Sequence, residues 1–130
     1  MDFDFKLPGL EKPESSRPKR VAEAIRNELN LVLRHSVADP RLIGVTVTKV
    51  EVSPDLKSAR VYVRAAGPAD SRLVMEGMKK ARGFFRSHLA KAINLRYTPE
   101  LLPYYDHLAE EAERVEQLLG SLEQERREQE

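Results

Sequence analysis

The sequence of 130 residues contains no cysteine, which excludes disulfides, thiolate metal ligands and cysteine nucleophiles. It has no apolar run near the roughly 18 residues that a membrane-spanning helix requires. Its opening residues, MDFDFKLPGLEKPESS, lack the basic segment and following apolar segment of a signal peptide. These absences predict a soluble protein of the cytoplasm that makes no contact with membranes.

The length is that of one ordinary domain, and the 41% of apolar residues suffice for one modest core. The net charge of +1 conceals an asymmetry between two parts of the chain. Residues 108–130 contain eight Glu and three Arg, whereas residues 1–107 carry an excess of six positive charges. A basic body with an acidic tail suggests an anionic partner for the body. The alternative is a solvated surface whose charges happen to segregate.

The chain is predicted to begin with a leader and a helix. Residues 1–16 show no lasting period and are predicted to form a flexible leader. The helix is expected to begin near Ser16, with Pro18 tolerated in its first turn. Its apolar stripe at helical spacing consists of Val21, Ile25, Leu29 and Val32.

Two strands are predicted next, after turn-forming residues at 38–41 and joined by a turn at 53–57. The apolar residues of the first strand are Ile43, Val45 and Val47, followed on the opposite parity by Val50 and Val52. This change of parity predicts a bulge near Thr48 and Lys49. The second strand alternates between an apolar set (Ala59, Val61, Val63, Ala65) and a polar set (Arg60, Tyr62, Arg64). Such alternation indicates an antiparallel sheet that is covered on one face.

Two helical patterns and a third strand follow. Asp70 or Ser71 can cap the first of these helices. The apolar positions are Val74, Met78 and Ala81 in the first helix and Phe85, Leu89 and Ile93 in the second. Gly83 at their junction predicts a kink or a close approach of the backbone. The strand is expected to open at 97–101 and to be short and at an edge, because Pro103 cannot donate to a ladder.

The last helix carries an apolar seam at spacings of four and three residues. Its members are Leu108, Ala112, Val115, Leu119 and Leu122. Two heptads are short for an independent coiled coil, so we expect this helix to pack back on the domain or to pair weakly, with a frayed end beyond Gly120. The order helix, strand, strand, helix, helix, strand, helix predicts an α+β sandwich with the helices on one face of the sheet.

Residues for catalysis or for binding a metal or cofactor are not indicated. The three histidines, His35, His88 and His107, have no metal-ligand spacing among them. A Gly-rich phosphate loop and a nucleophile elbow are both missing. Three aspartates that follow strand or turn signals are expected to satisfy backbone donors: Asp39, Asp55 and Asp106. We therefore predict that the protein is not an enzyme and uses no cofactor or metal.

Basic residues are concentrated around the predicted kink. Between Glu76 and Glu100 there is no acidic residue, and the basic residues are Lys79, Lys80, Arg82, Arg86, Lys91 and Arg96. Such a cluster is unfavourable unless an anion relieves the repulsion, and backbone amides at the start of the second helix could approach a phosphate. A nucleic-acid surface is therefore favoured over a merely solvated face.

A second basic group, Arg17, Lys19 and Arg20, lies at the start of the first helix, where positive charge opposes the helix dipole. This group suits a bound anion as well as it suits a solvated helix end. DNA is the poorer candidate, since no helix-turn-helix, zinc finger or basic zipper is indicated. An α+β domain with a kinked helix pair suits a single-stranded backbone, as in KH modules with their GXXG loop. The few aromatic residues (Tyr62, Tyr97, Tyr104, Tyr105, Phe84 and Phe85) are interpreted as strand, turn or core residues.

Several short motifs resemble the bacterial ribosome-binding factor A family over residues 17–119. In chain order these motifs are Arg20-Val21 with Ile25 and Leu29; Asp39-Pro40-Arg41; Val52-Ser53-Pro54-Asp55-Leu56 with Ala59 and Val61-Tyr62-Val63; Ala81-Arg82-Gly83-Phe84 with Arg86; and Leu95-Arg96-Tyr97 with Pro99-Glu100-Leu101 and Asp106. Each motif is weak alone, but their order and spacing together make the resemblance specific.

The resemblance implies a type II KH-like domain of order α-β-β-α-α-β, with an additional C-terminal helix. The family has an Ala-X-Gly kink where other KH domains have GXXG, which places the kink at Ala81, Arg82 and Gly83. The implied organisation is a leader over 1–16, an RNA-binding domain over 17–107, and a C-terminal helix with an acidic tail over 108–130.

The implied function is assembly of the small (30S) ribosomal subunit, through binding to its 16S RNA during late maturation, including 5′-end processing, with a role in growth in the cold. The resemblance implies no cofactor, and we expect a monomer that also meets neighbouring ribosomal proteins. The alternatives are a generic KH-like RNA-binding protein or a protein-interaction module that uses the C-terminal helix.

Overall fold

The computed structural model describes residues 13–67 and 69–129. Its elements are α1 (Pro13–His35), a 3-10 turn (Pro40–Leu42), β1 (Val45–Val52), β2 (Ser58–Ala65), α2 (Ser71–Lys80), α3 (Arg82–Ala92), β3 (Glu100–Tyr105) and α4 (His107–Glu128). The predicted order of helices and strands is confirmed, with the 3-10 turn as the one addition among the described residues. None of the described helices is long and apolar enough to cross a membrane.

Helix α1 begins three residues earlier than the predicted start at Ser16. The first twelve residues of the predicted leader lie outside the described residues, and the last four, 13–16, belong to the helix. Pro18 consequently lies within the helix and not at its first position.

The sheet has the order β1-β2-β3, with β1 antiparallel to β2 and β3 parallel to β2. The predicted bulge is confirmed, because the β1–β2 register shifts between Val47 and Lys49. The antiparallel prediction holds for this pair of strands and is wrong for β3. Helices α2 and α3 form a crossover between β2 and β3, and a crossover of this length allows the two strands to run in the same direction.

Pro103 lies in the middle of the edge strand without interrupting it. The amides of Glu100 and Asp106 donate to the carbonyls of Lys57 and Val63 on the β2 side. Amides alternate sides along a strand, so the nitrogen of Pro103 points to the free edge, where no donor is required. The predicted edge position is confirmed, while the strand opens only at Glu100 and Pro103 does not shorten it.

One face of the sheet and the apolar stripes of α1, α2 and α3 form the core. Its central members, almost fully buried, are Ile25, Leu29, Val47, Ala59, Val61, Val63, Phe85 and Leu89. All four residues of the predicted apolar set in β2 are buried, as expected from the alternation. Ile43 does not belong to the core, because it lies before β1 and is 77% exposed.

Helix α4 differs from the prediction in both its length and its packing. It continues to Glu128, well beyond the expected fraying point at Gly120, and it buries none of its described residues. The seam residues Leu108, Val115, Leu119 and Leu122 are all exposed. The helix projects from the end of the edge strand, so only its first turns can reach the body of the domain.

Candidate nucleic-acid interface

The junction of α2 and α3 is a break in the helical hydrogen-bond ladder. The amide of Ala81 donates to the carbonyl of Gly77, and the next bond of the ladder runs from the amide of Phe85 to the carbonyl of Ala81. As at the start of any α-helix, the first amides of α3, those of Arg82, Gly83 and Phe84, have no acceptor within their own helix. No side chain caps this end of α3, and its first turn contains no acidic residue. Free amides at a helix N-terminus attract anions such as phosphate.

Gly83 keeps this helix end open. A β-carbon at Gly83 would meet no described atom within 4 Å, so the chain itself makes no close approach there. The close approach occurs at Gly77, where a β-carbon would lie 3.0 Å from Leu42 Cδ2. The predicted kink is therefore confirmed and is located at Ala81, while the close backbone contact within the chain belongs to α2 and the 3-10 turn. At Gly83 the open space faces solvent and is available to a ligand.

Four predicted cations surround this break. Lys79 and Lys80 are exposed at the end of α2, and Arg82 is half-buried at the start of α3, where it lines a small gap beside Leu101 and Pro103. Arg86, one turn further on, donates from Nη2 to the carbonyl of Thr98 at 3.2 Å. Since the two arginines are four residues apart, they lie on the same side of α3, which is the side facing β3.

The remaining two residues of this cluster lie elsewhere. Lys91 is nine residues after Arg82, and at 100° per residue it points to the opposite side of α3. Arg96 follows the helix and lies over the ring of Tyr97, with its Cζ 5.6 Å from the ring centroid. The structure thus divides the predicted cluster into a junction group (Lys79, Lys80, Arg82 and Arg86) and two separate cations.

The N-terminal basic group is at the other end of α1. The break in α2–α3 faces residues 36–39, just after α1 ends, across a cavity of about 250 Å³ that Lys80, Ala81 and Phe84 also line. Arg17, Lys19 and Arg20 are exposed near the start of α1, roughly 28 Å away along the helix axis at 1.5 Å per residue. Lys19 lines a separate cavity of about 650 Å³ against the end of β1 and the start of β2. The two basic groups do not form one compact site.

Asp39, a carboxylate beside the junction group, is already paired. It accepts hydrogen bonds from the side chain and the backbone amide of Arg41, and these bonds lower the pKa of Asp39 to about 2. The aspartate therefore stays ionised and engaged with Arg41 at neutral pH. The same carboxylate also interacts electrostatically with Lys80, so it offsets only part of the positive charge of the junction group.

The three aspartates satisfy backbone donors, as the sequence predicted. Asp39 accepts from the amide of Arg41, Asp55 from that of Lys57 and Asp106 from that of Ala109. His88 is held by Glu28, with 3.0 Å between Nε2 and Oε1, and is not directed at the junction. No group of three metal-ligating side chains occurs within residues 13–67 and 69–129.

Two polar features of this fold were not predicted from the sequence. Asn30, on α1, both accepts from the amide of Val47 and donates to its carbonyl, at 2.7 and 3.1 Å, and so ties the helix to β1 beside the bulge. Tyr62 and Tyr104 stack on the uncovered face of the sheet, with ring centroids 5.5 Å apart. Tyr104 and Phe84 are substantially exposed and are not core residues. The polar parity of Arg60, Tyr62 and Arg64 was the available signal for the tyrosine pair.

The fold and the site together define a class of protein. An α-β-β-α-α-β domain in which two helices meet at an open, basic break on one face of a three-stranded sheet has the architecture of the KH-like nucleic-acid-binding domains. A family model described as Ribosome-binding factor A matches residues 17–119. The chain belongs to the ribosome-binding factor A family.

Individual relatives agree with this assignment. The chain is 43% identical over 114 residues to ribosome-binding factor A of Vesicomyosocius okutanii, a match that covers 87% of this chain and 99% of the relative. It is 42% identical over 112 residues to the protein of Hydrogenovibrio crunogenus, covering 82% and 91% of the two chains. The crystal structure of ribosome-binding factor A from Thermus thermophilus aligns with a TM-score of 0.57 at 23% identity, over 71% of this chain and 93% of that one, and confirms the fold.

Proposed function

We propose that the protein is an assembly factor of the small ribosomal subunit, which binds the 16S RNA of that subunit through the α2–α3 junction. The observation that carries this proposal is the coincidence of an uncapped helix start, with no acidic residue in its first turn, and four cations at one open helix junction. The family supports a ribosomal target, and the resemblance narrows it to late maturation, including 5′-end processing, in the cytoplasm and in the cold. The protein would act by binding alone, as a monomer that also touches neighbouring ribosomal proteins.

The mechanism is selective binding of one immature RNA conformation. A protein that binds one conformation better than the others shifts the population towards it by the difference in affinity. Phosphate contacts from Lys79, Lys80, Arg82 and Arg86 would set the position of the RNA but carry no sequence information. Selectivity would then come from RNA shape and from the neighbouring subunit proteins.

Co-sedimentation with separated small and large subunits tests the partner. We expect binding to the small subunit alone, with a log–log salt slope of roughly −2.8 to −3.6 if the four junction cations each neutralise a phosphate. Binding to both subunits equally, or to neither, would reject the assembly role. A response that does not change with salt would reject the phosphate contacts.

A pair of charge reversals tests the surface. Arg82→Glu combined with Arg86→Glu should weaken binding to the small subunit and to its isolated RNA by more than tenfold, because both arginines lie on the same side of α3 beside the junction. The matched control combines Lys57→Glu in the β1–β2 turn with Arg72→Glu in the first turn of α2, which makes the same change in net charge away from the junction. Equal losses in the two double variants would show that only overall charge matters.

A second candidate function is protein recognition by α4, and the exposed seam of that helix is the observation that favours it. A chain ending at Asp106 distinguishes the two functions, provided that circular dichroism shows it to be folded. Retained binding to isolated 16S RNA supports the junction as the working surface. Loss of subunit binding with unchanged binding to isolated RNA would support protein recognition by α4.

A further inference from the structure

The uncovered face of the sheet carries a row of three side chains in register across all three strands. Lys49 of β1 pairs with Tyr62 of β2, and Tyr62 pairs with Tyr104 of β3. The two tyrosine rings are nearly parallel, with an interplanar angle of 26°. The ammonium of Lys49 lies 4.7 Å from the centroid of the Tyr62 ring, and this distance allows a cation–π interaction. The three side chains therefore form a column, in which the ammonium of Lys49, the ring of Tyr62 and the ring of Tyr104 follow one another.

The column has one open end. One face of the Tyr62 ring is covered by Lys49 and the other by Tyr104, so Tyr62 has no face left for a ligand. Tyr104 lies on the edge strand, and within the described residues no strand follows β3 in the sheet. Its side chain is 45% exposed. The outward face of the Tyr104 ring is thus the place where another flat ring can extend the stack.

The position of Tyr62 is fixed by its neighbours, and this keeps the aromatic platform that Tyr62 and Tyr104 form rigid. The hydroxyl of Tyr62 donates to Glu51 at 3.2 Å, and Glu51 also attracts Lys49 and Arg60. The charges beside the rings nearly balance, because Lys49 and Arg60 lie beside Glu51 and Lys49 also interacts with the carboxylate of Asp106. A pre-ordered aromatic platform loses little conformational entropy when a ligand stacks on it.

The open end of the column borders the junction arginines. Arg82 lines the gap beside Pro103, the residue before Tyr104, and Arg86 binds the carbonyl of Thr98, just before β3. Strand β3 therefore lies between the two arginines, which are on the helical side of the sheet, and the ring of Tyr104, which is on the uncovered side. A phosphate backbone held by the arginines can turn over this edge and present a base to Tyr104.

We propose that Tyr104, backed by Tyr62 and Lys49, is a stacking site for an unpaired base of RNA bound at the α2–α3 junction. The inference deepens the proposed function and rests on it for the identity of the ligand. Stacking of a base on an aromatic side chain contributes in a sequence-tolerant way, because every base has a π-face. The site would therefore favour unpaired over duplex RNA without selecting one base.

The test uses an oligouridine of twelve nucleotides with one central 2-aminopurine, titrated with the intact protein. Tyr104→Leu removes the ring and keeps an apolar residue that suits a strand, whereas the matched control Tyr104→Phe keeps the ring. We expect Tyr104→Leu to weaken binding about 5- to 100-fold and to abolish quenching of the 2-aminopurine emission at saturation. Tyr104→Phe should bind within about twofold of the wild type and quench fully. Because the chain contains no tryptophan, emission of its four tyrosines can be followed in the same titration.

Different results of this experiment would reject the stacking site at Tyr104 and the RNA-binding role of the α2–α3 junction. If Tyr104→Leu binds and quenches like the wild type while Arg82→Glu with Arg86→Glu binds poorly, the stacking site is wrong and the junction stands. If only the tyrosine variant loses affinity, Tyr104 binds RNA that the junction does not hold, so both the junction and the proposal in its stated form are rejected. If the wild-type protein does not bind the oligonucleotide, the stacking proposal is rejected, and subunit co-sedimentation decides the proposed function separately. Thermal unfolding of each variant shows whether a loss of affinity comes from a loss of folding.

Discussion

Helices α1 and α4 have nearly the same length, 23 and 22 residues, and both carry apolar residues at helical spacing. Helix α1 buries five of them (Val21, Ala22, Ile25, Leu29 and Val32), whereas α4 buries none of its described residues. The difference comes from their neighbours, because α1 lies against β1 and α3 while α4 leaves the end of an edge strand. An apolar stripe at helical spacing therefore predicts a helix, and it does not by itself predict burial.

Polar contacts hold the start of α4 to the body. Asp106 caps the helix through the amide of Ala109 and also accepts from Thr48 Oγ1 at 2.6 Å. Glu110 accepts from the hydroxyl of Tyr105 at 2.9 Å, and Glu113 pairs with Arg64 at 2.7 Å. All of these contacts lie within the first two turns. Helix α1 is thus integrated by apolar burial, and α4 is attached by hydrogen bonds and one ion pair.

The largest effect predicted here is the difference in unfolding free energy between one Leu→Ala substitution in α1 and another in α4. Leu29→Ala in α1 should lower the free energy of unfolding by about 2 to 5 kcal/mol, because it leaves a cavity in a fully buried site. Leu119→Ala in α4 should change it by less than about 0.5 kcal/mol, because that side chain is 59% exposed. Urea unfolding followed by circular dichroism measures both. A loss above about 1 kcal/mol in the α4 variant would show that its seam is buried in solution.

Removing the carboxylate that joins α4 to the sheet should have an intermediate effect. Asp106→Ala deletes both the helix cap and the acceptor for Thr48, and should cost about 1 to 3 kcal/mol of unfolding free energy. Thr48→Val removes the second bond, together with the 3.2 Å contact of the Thr48 hydroxyl with the carbonyl of Tyr62, and leaves the cap in place, so about half of that loss is expected. Equal losses in the two variants, measured in the same urea series, would mean that the cap contributes nothing.

The same attachment should respond to acid. The hydrogen bond from Thr48, together with that from the amide of Ala109, holds the pKa of Asp106 below its ordinary value. A carboxyl group with a lowered pKa in the folded state stabilises the fold above its unfolded pKa of about 4, and this contribution is lost as the pH falls through the folded pKa. The difference in melting temperature between the wild type and Asp106→Asn should therefore be constant near neutral pH and should shrink below about pH 4.

The pKa of Asp39 provides the reference for this titration. Because Arg41 lowers the pKa of Asp39 to about 2, the corresponding difference for Asp39→Asn should also begin to shrink below about pH 4 and should continue to shrink until about pH 2. Melting curves between pH 7 and pH 2 measure both variants in one series. A difference for Asp106→Asn that grew on acidification would contradict the assigned hydrogen bonds.

The comparison also shows what could be predicted from sequence. The stripe of α1, the bulge after Val47 and the cap at Asp70 are local signals, and each was confirmed because it depends on residues within one or two turns or strands. The direction of β3 and the stacking of Tyr62 on Tyr104 depend on pairing between strands some forty positions apart, which no local period encodes. The position of Lys91 opposite Arg82 could have been predicted from the helical period alone, had the whole cluster been placed on a helical projection.

The residues beside the α4 seam influence whether two copies of the helix can pair along it. In a heptad alignment with Leu108, Val115 and Leu122 at one core position, the flanking positions hold Glu111, Glu116, Glu123 and Glu125. Two copies of α4 paired along this seam would place like charges opposite each other in either orientation, and such contacts oppose association. The charge pattern therefore opposes pairing along an otherwise suitable seam, which is in line with the expected monomer.

Reversing one of these charges should give the smallest effect and the clearest view of the seam. Glu116→Lys converts a repulsive contact with Glu111 of a second copy into an attractive one in a parallel pair, a change of a few tenths of a kcal/mol per contact. Glu128→Lys makes the same change in charge off the seam and serves as the control. Sedimentation velocity at a series of concentrations should show more self-association for Glu116→Lys than for the wild type or Glu128→Lys, with the excess removed by high salt. If both variants associate equally, net charge and not the seam controls the oligomeric state.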